Sequence, residues 1–343
     1  MKKGIAFLLA FVMFAPLLLS PSGSLSAQSA TTPQKSFTLK LAGIKTAEDP
    51  ASQAMELFAK EVNSNTSANI KVATYPNSVL GNLNDMLSGM SIRTTDILYN
   101  TFSCYAWLDA AKRFAIISAP FLWKNNQELQ SFLDSDVSKQ WMEEAAAKSG
   151  VRVLVAQGEL PPRQLTSNKP VYSAADFKGL KIRTAESPLV QTVMRKLGAT
   201  PVVIPFADLY MALRQGTADA QENNFITAKN SSFYEVQKYY MKTDYSRDVS
   251  AIFISENVWK QLSPAQQTVL RNAAINAVNF EAATIANQMS QVMAFLDQHM
   301  TRINVDVKSI QDKLGTDIYK QFDDEGKIWP TGTLDAILKF KNQ

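Results

Sequence analysis

Residues Lys181–Asn224, KIRTAESPLVQTVMRKLGATPVVIPFADLYMALRQGTADAQENN, decide how this chain folds. Gly179 to Arg183 reads as a short strand with a cation at its carboxyl end. Ser187-Pro188 then supplies a helix start, a hydroxyl to cap and a proline whose fixed φ suits the first turn. Ala199 to Ile204 reads as a second strand, with Phe206 just beyond it. Asp208 to Gln215 reads as a helix that Gly216 stops, and Ala218 to Gln221 as a third strand delivering Glu222 and Asn223. In open α/β sheets ligands sit beyond the carboxyl ends of strands, so Arg183, Phe206 and Asn223 are expected to face one crevice. A guanidinium fork beside a helix N-terminus is what a carboxylate needs when it leaves water, and Arg183 is therefore the candidate centre of an organic-anion site.

The same alternation runs upstream. Phe37 to Ala42 has strand periodicity, Asp49-Pro50 opens a helix with Ala51, Met55, Phe58 and Val62 on one face, and Asn69 to Thr74 is the next strand. A helix from Asn82 to Met90, a strand from Thr95 to Tyr99, helices over Gln127 to Ser149 and a strand from Val151 to Ala156 follow. Alternating strands and helices predict an α/β fold with a mostly parallel sheet. The loops Ile44 to Asp49, Tyr75 to Asn84 and Asn100 to Trp107 would form a second wall of the crevice. Downstream, a strand pair is expected around Tyr245 to Ser255. From Pro264 to Met300 neither glycine nor further proline interrupts the chain, which predicts a helix about 50 Å long at ~1.5 Å per residue. Glu281 interrupts its apolar stripe, as suits a helix leaving one core and entering another. Two helices with an unmarked kink are the alternative. Asp323 to Gly326 with Trp329-Pro330 reads as a turn, and Leu334 to Phe340 as a short closing helix.

At its start the chain carries an addressing segment, Met1 to Ala27: Lys2 and Lys3, an apolar run from Ile5 to Leu19, then small residues. The run is shorter than the ~20 residues needed to span a bilayer, so cleavage and release into a periplasmic space are expected. Residues 28–36 read as a flexible leader. Formal net charge is +4, and losing Lys2 and Lys3 with that acid-free segment leaves +2, too balanced for capture of nucleic acid. The single cysteine, Cys104, excludes an internal disulfide. The remaining length suits two lobes, a first over 37–159 to which 249–285 return and a second over 160–248 on which 286–343 pack.

The pieces GLKIRTAESP, LGATPVVIPFADLYMALRQGTADAQEN, YPNSVLG and SAPFLW, in this order and spacing from Phe37 to Ala274, resemble the substrate-binding proteins of tripartite ATP-independent periplasmic (TRAP) transporters. That resemblance implies a two-lobed periplasmic binding protein of type II-like fold, with crossover strands and a long helix shared by both lobes. It further implies that Arg183 holds a substrate carboxylate, that Asn223 is an amide partner for it, that Phe206 flanks the ligand and that Arg163 is a second ligand-facing cation. Pro161 and Pro162 depart from the usual approach to that arginine. Asp244 stands where many members carry histidine. In the first lobe Tyr99, Asn100, Thr101 and Asn82 occupy the positions of variable ligand contacts. Read from the residues alone, Arg183 is more simply a structural partner of Glu186, which is counted with the site. Glu222 reads as a structural acceptor for backbone donors.

The implied function is capture of a small organic acid by hinge closure and its delivery to the small and large integral-membrane TRAP subunits, by a monomer that needs neither cofactor nor metal. A partner of an extracytoplasmic sensor is the alternative. An enzyme is the competing class. Ser-His-Asp or Cys-His chemistry would need His299, the only histidine, near the end of the long helix. A carboxylate pair of Glu186 and Glu222 is the other enzymatic arrangement the residues allow. Neither a zinc-ligand spacing nor a P-loop occurs in the sequence.

Overall fold

The computed structural model describes residues 35–342. The addressing segment and most of the leader lie outside the described residues. Eleven strands are present among them: β1 (Phe37–Ala42), β2 (Ile70–Tyr75), β3 (Ile97–Thr101), β4 (Val151–Glu159), β5 (Gln164–Ser167), β6 (Lys181–Thr184), β7 (Thr200–Val203), β8 (Ala220–Asn223), β9 (Tyr239–Met241), β10 (Val249–Ser255) and β11 (Thr301–Ile303). They form two sheets, β2-β1-β3-β10-β4 and β11-β9-β5-β8-β6-β7, each the floor of one lobe. Helices pack on both sheets, the α/β arrangement expected.

In the first sheet β1 is parallel to β2 and β3, whereas β10 runs antiparallel to β3 and β4. In the second, β6 is parallel to β7 and β8, and β5 antiparallel to β8 and β9. The chain passes between sheets twice as extended segments, from β4 to β5 and from β9 to β10. The two passages lie side by side, with the amide of Arg163 donating to the carbonyl of Ser246 at 2.9 Å.

A third passage is one continuous helix, Pro264–His299, 36 residues long. Ser263 caps it: its hydroxyl accepts from the Gln266 amide at 3.2 Å, while Gln266 reaches back to the Ser263 amide at 3.0 Å. Leu270, Ala274, Ala277 and Val278 sit in the first lobe's core with Met55, Phe58 and Val62. Ile285, Val292 and Leu296 sit in a separate core with Leu160, Phe225 and Tyr240. Glu281 falls between the two cores and is buried; Tyr99 and Ser250 donate to it at 2.7 and 2.5 Å. Gly158 lets β4 approach this helix closely. Its φ is +95°, and a Cβ there would lie 2.9 Å from the Val278 carbonyl oxygen.

The C-terminal segment departs from expectation twice. Asp323 to Glu325, expected to open a turn that runs on to Trp329-Pro330, instead close a helix (Ile318–Glu325), and the turn follows from Gly326, at φ 61°. Asp323 is the reason: its carboxylate accepts from Trp329 Nε1 at 3.0 Å and from the amides of Gly332 and Leu334 at 2.8 Å, fastening the following loop. The segment also divides between lobes. Helix Val307–Leu314 packs on helix Pro188–Leu197 of the second lobe. Helices Ile318–Glu325 and Thr333–Lys341 reach the first lobe instead, where Phe340 packs on Phe132, Lys341 donates to the Leu122 carbonyl and pairs with Glu128, and Tyr319 donates to the Pro120 carbonyl. The apolar knot Ala119–Trp123 supplies a buried Trp123 beneath this contact. No helix of the described residues is long and apolar enough to cross a membrane.

Candidate functional site

The carboxyl ends of β1, β3, β6, β7 and β8 face one another across a cleft between the lobes. Around a space of about 970 Å³, open solvent at its mouth included, they place Lys45, Asn82, Asn100, Thr101, Trp107, Arg163, Arg183, Glu186, Phe206, Glu222 and Asn223. Strand ends gather here because parallel strands all deliver their following loops to the same edge.

Arg183, the third residue of β6, is 3 % exposed. Its Nε donates to the Ile204 carbonyl at 2.8 Å, which fixes the guanidinium plane against β7. It forms no ion pair with Glu186 or any other carboxylate among the described residues. Burial pushes its pKa down to about 10; Glu222 pulls it up, Arg163 pushes it further down, and Glu186 pulls it up more weakly. A buried cation with no carboxylate in contact is costly, and an anion that pairs with it in the cleft offsets that cost.

Arg163 is paired where Arg183 is not. Its Nε donates to Glu222 Oε2, and its Nη2 donates to Glu222 Oε1 at 2.9 Å, the Glu222 carbonyl at 2.7 Å and Asn223 Oδ1 at 3.1 Å. Tyr245 completes the carboxylate, donating at 2.6 Å. Burial by itself would lower the Arg163 pKa; the charge and hydrogen bonds of Glu222 reverse that and hold it raised. Glu222 is thus a structural acceptor, though for side-chain donors rather than the backbone donors expected. Asn223 lines the cleft with its oxygen on Arg163 and its Nδ2 donating to Gln221 at 2.7 Å.

Phe206 lines the cleft below Lys45, whose Nζ stands 4.2 Å from the ring centroid. Asn100 lines it too; its Oδ1 accepts from the Thr101 amide at 2.7 Å, while its Nδ2 is buried and has no partner. Thr101 is at the strand end, with its hydroxyl 3.3 Å from that of Ser103. Asn82 spends its oxygen on the Asp85 amide, capping helix Leu83–Ile92.

Tyr99 does not belong with these residues. Side chains alternate across a strand, so the face opposite Asn100 turns Tyr99 into the core, where its hydroxyl meets Glu281. Asp244, at φ 45°, accepts from Gln164 at 2.5 Å and lines a separate groove with Pro161, Pro162, Met289 and Met293 rather than the cleft. His299 stacks on Phe295 at the exposed end of the long helix, and Cys104 lies in the cleft wall, where burial pushes its thiol up.

Lys45 and Trp107 were not singled out from the sequence. Their loops were assigned to the crevice, but no periodicity in a loop says which side chain turns inward.

The sequence from residue 41 to 324 matches the family described as bacterial extracellular solute-binding protein, family 7. A solute-binding protein of Roseobacter denitrificans is 29 % identical over 278 residues, covering 80 % of this chain and 84 % of that protein. The 2,3-diketo-L-gulonate-binding periplasmic protein of Escherichia coli is 28 % identical over 282 residues, 80 % and 85 % of the two chains. Among solved structures, a TRAP periplasmic solute-binding protein of Roseobacter denitrificans with bound L-galactonate superposes with a TM-score of 0.75 at 28 % identity, covering 82 % of this chain and 92 % of that one.

Proposed function

The chain belongs to family 7 of the bacterial extracellular solute-binding proteins, and on that premise we propose that it is the periplasmic receptor of a TRAP transporter for a small organic acid. The observation that carries the acid is Arg183, buried at the cleft and free of any carboxylate among the described residues. A ligand carboxylate would take two parallel bonds from its fork, with the unpartnered Nδ2 of Asn100 available to the same ligand from the opposite lobe. Arg163, tied to Glu222, holds Asn223 and the cleft wall in place and contributes field more than contact. The relatives named by their ligands bind sugar-derived acids, in keeping with a site of this charge.

Binding works by closure on the two extended passages and the long helix. Affinity for the shut form must exceed that for the open one, since only a difference in affinity shifts the equilibrium. The shut receptor then hands its ligand to the integral-membrane subunits, and no chemical step is involved. Calorimetric titration of Arg183→Ala with the acid that purifies with the wild type tests the assignment. The expected loss is roughly 2 to 5 kcal/mol; an affinity within a factor of two of wild type would refute it.

A further inference from the structure

The inner wall of the cleft holds out hydrogen-bond donors, while its amide and carboxylate oxygens are nearly all engaged. Among the described residues, the buried polar side-chain atoms without a partner are Asn100 Nδ2 and the hydroxyls of Thr46, Ser138, Thr184 and Ser255; of these residues only Asn100 lines the cleft. The orientation of its amide is fixed from behind. Oδ1 accepts from the Thr101 amide at 2.7 Å, and turning the group over would set two donors against each other. Asn100 therefore offers the cleft N–H and not its oxygen.

Neighbouring groups have the same polarity. Nη1 and Nη2 of Arg183 make no bond among the described residues, since only Nε reaches Ile204. Lys45 Nζ gives one hydrogen to Thr227, and Asn82, with its oxygen on the Asp85 amide, keeps only its nitrogen free. The oxygens are taken: those of Glu222 by Arg163 and Tyr245, and Asn223 Oδ1 by Arg163. The Thr101 and Ser103 hydroxyls are within bonding distance of each other, and Ser246 donates to the Ser118 carbonyl. Glu186, which also borders a neighbouring groove with Lys112 and Lys327, is the one lining carboxylate without a bond among the described residues.

We propose that the ligand is an oxo acid, with its carboxylate on Arg183 and a proton-free carbonyl oxygen accepting from Asn100 Nδ2, so that Asn100 selects an oxo acid over the matching hydroxy acid. This rests on the organic-acid reading of the cleft and names the class of acid. A buried donor left without a partner is costly, and a carbonyl oxygen satisfies it while bringing no hydrogen of its own. A hydroxyl in the same place accepts that hydrogen but adds another, which the engaged oxygens of Asn100, Asn223 and Glu222 do not receive. Polyhydroxy acids add several.

Calorimetric titration of the full chain, stripped of ligand by unfolding and refolding, tests this with charge-matched pairs. The probes are pyruvate with lactate, 2-oxoisovalerate with 2-hydroxyisovalerate, 2-oxoglutarate with 2-hydroxyglutarate, and phenylpyruvate with phenyllactate, each hydroxy acid in both enantiomers. In any pair that binds, the oxo acid is expected to bind tighter by about tenfold or more. Asn100→Ala should bring the two members close to equality, chiefly by weakening the oxo acid, whereas Arg183→Ala should weaken both alike. Equal affinities within the pairs on wild type, a tighter hydroxy acid, or wild-type selectivity kept by Asn100→Ala would overturn the proposal. The wild-type comparison stands even if a variant does not fold. Should none of these skeletons fit, the molecule released by unfolding the purified receptor decides: one with an oxo oxygen besides its carboxylate supports the proposal, and one without overturns it. A hydroxy acid bound through Arg183 sinks this proposal alone, while acids that bind Arg183→Ala as tightly as wild type sink the organic-acid reading with it.

Discussion

Arg163 and Arg183 stand in one cleft and face opposite energetic situations. Arg163 is locked to a buried carboxylate, so Glu222→Gln or Arg163→Met leaves the other member uncompensated and should lower stability by about 3 to 5 kcal/mol. Arg183 has no such partner, so Arg183→Met should leave the ligand-free protein as stable as wild type or more so while abolishing tight binding. Urea unfolding of the ligand-free proteins separates the two: the Glu222→Gln midpoint falls, the Arg183→Met midpoint does not. Arg183 was legible in the sequence because it ends a strand just before a Ser-Pro helix start. Tyr99 differs from expectation because alternation along β3 turns it into the core, while Asn100 and the strand-end Thr101 line the cleft. Lys45 lies in a loop and Trp107 ends a short 3₁₀ helix, Phe102–Trp107, and neither segment carries a period long enough to say which way a side chain points.

At the scale of elements, β4 lies close against the long helix at Gly158. A methyl group at Gly158 would meet the Val278 carbonyl at 2.9 Å and force a positive φ on alanine, so Gly158→Ala should destabilise by about 1 to 3 kcal/mol, read as a lower urea midpoint. Glu281, midway along the helix, has its carboxyl pushed up to about 7 by burial, against the bonds from Ser250 and Tyr99. Because the folded value exceeds the ordinary 4.5, the stability it contributes is complete below pH 4.5 and lost as pH rises through 7, about 3 kcal/mol in all. Glu281→Gln should flatten that portion of the profile, seen as a smaller fall in Tm from pH 5 to pH 8. The helix itself was legible from its caps and its uninterrupted length, and Glu281 marked where it changes cores. The turn expected from Asp323 begins only at Gly326, and the carboxylate's partners, Trp329 and the Gly332 and Leu334 amides, come from a loop whose path only the tertiary fold defines.

For the whole molecule, two sheets are joined by two extended passages and one shared helix. The alternation of strands and helices foretold an α/β fold, and the family resemblance implied the two lobes with their crossing strands and shared helix. It did not foretell that residues 318–341 return to the first lobe, since the aromatic anchors Tyr319 and Phe340 carry no signal of which lobe they will meet. Scattering should show compaction when the native ligand is returned to stripped protein at pH 7. The account's central claim, that Arg183 retains an organic acid in the cleft, is tested most directly by unfolding the freshly purified receptor and weighing the released small molecules by mass spectrometry, wild type beside Arg183→Ala. The account predicts a carboxylic acid in near-stoichiometric amount from the wild type and none from the variant; a neutral or cationic molecule, or the same acid in equal amount from both, would contradict it.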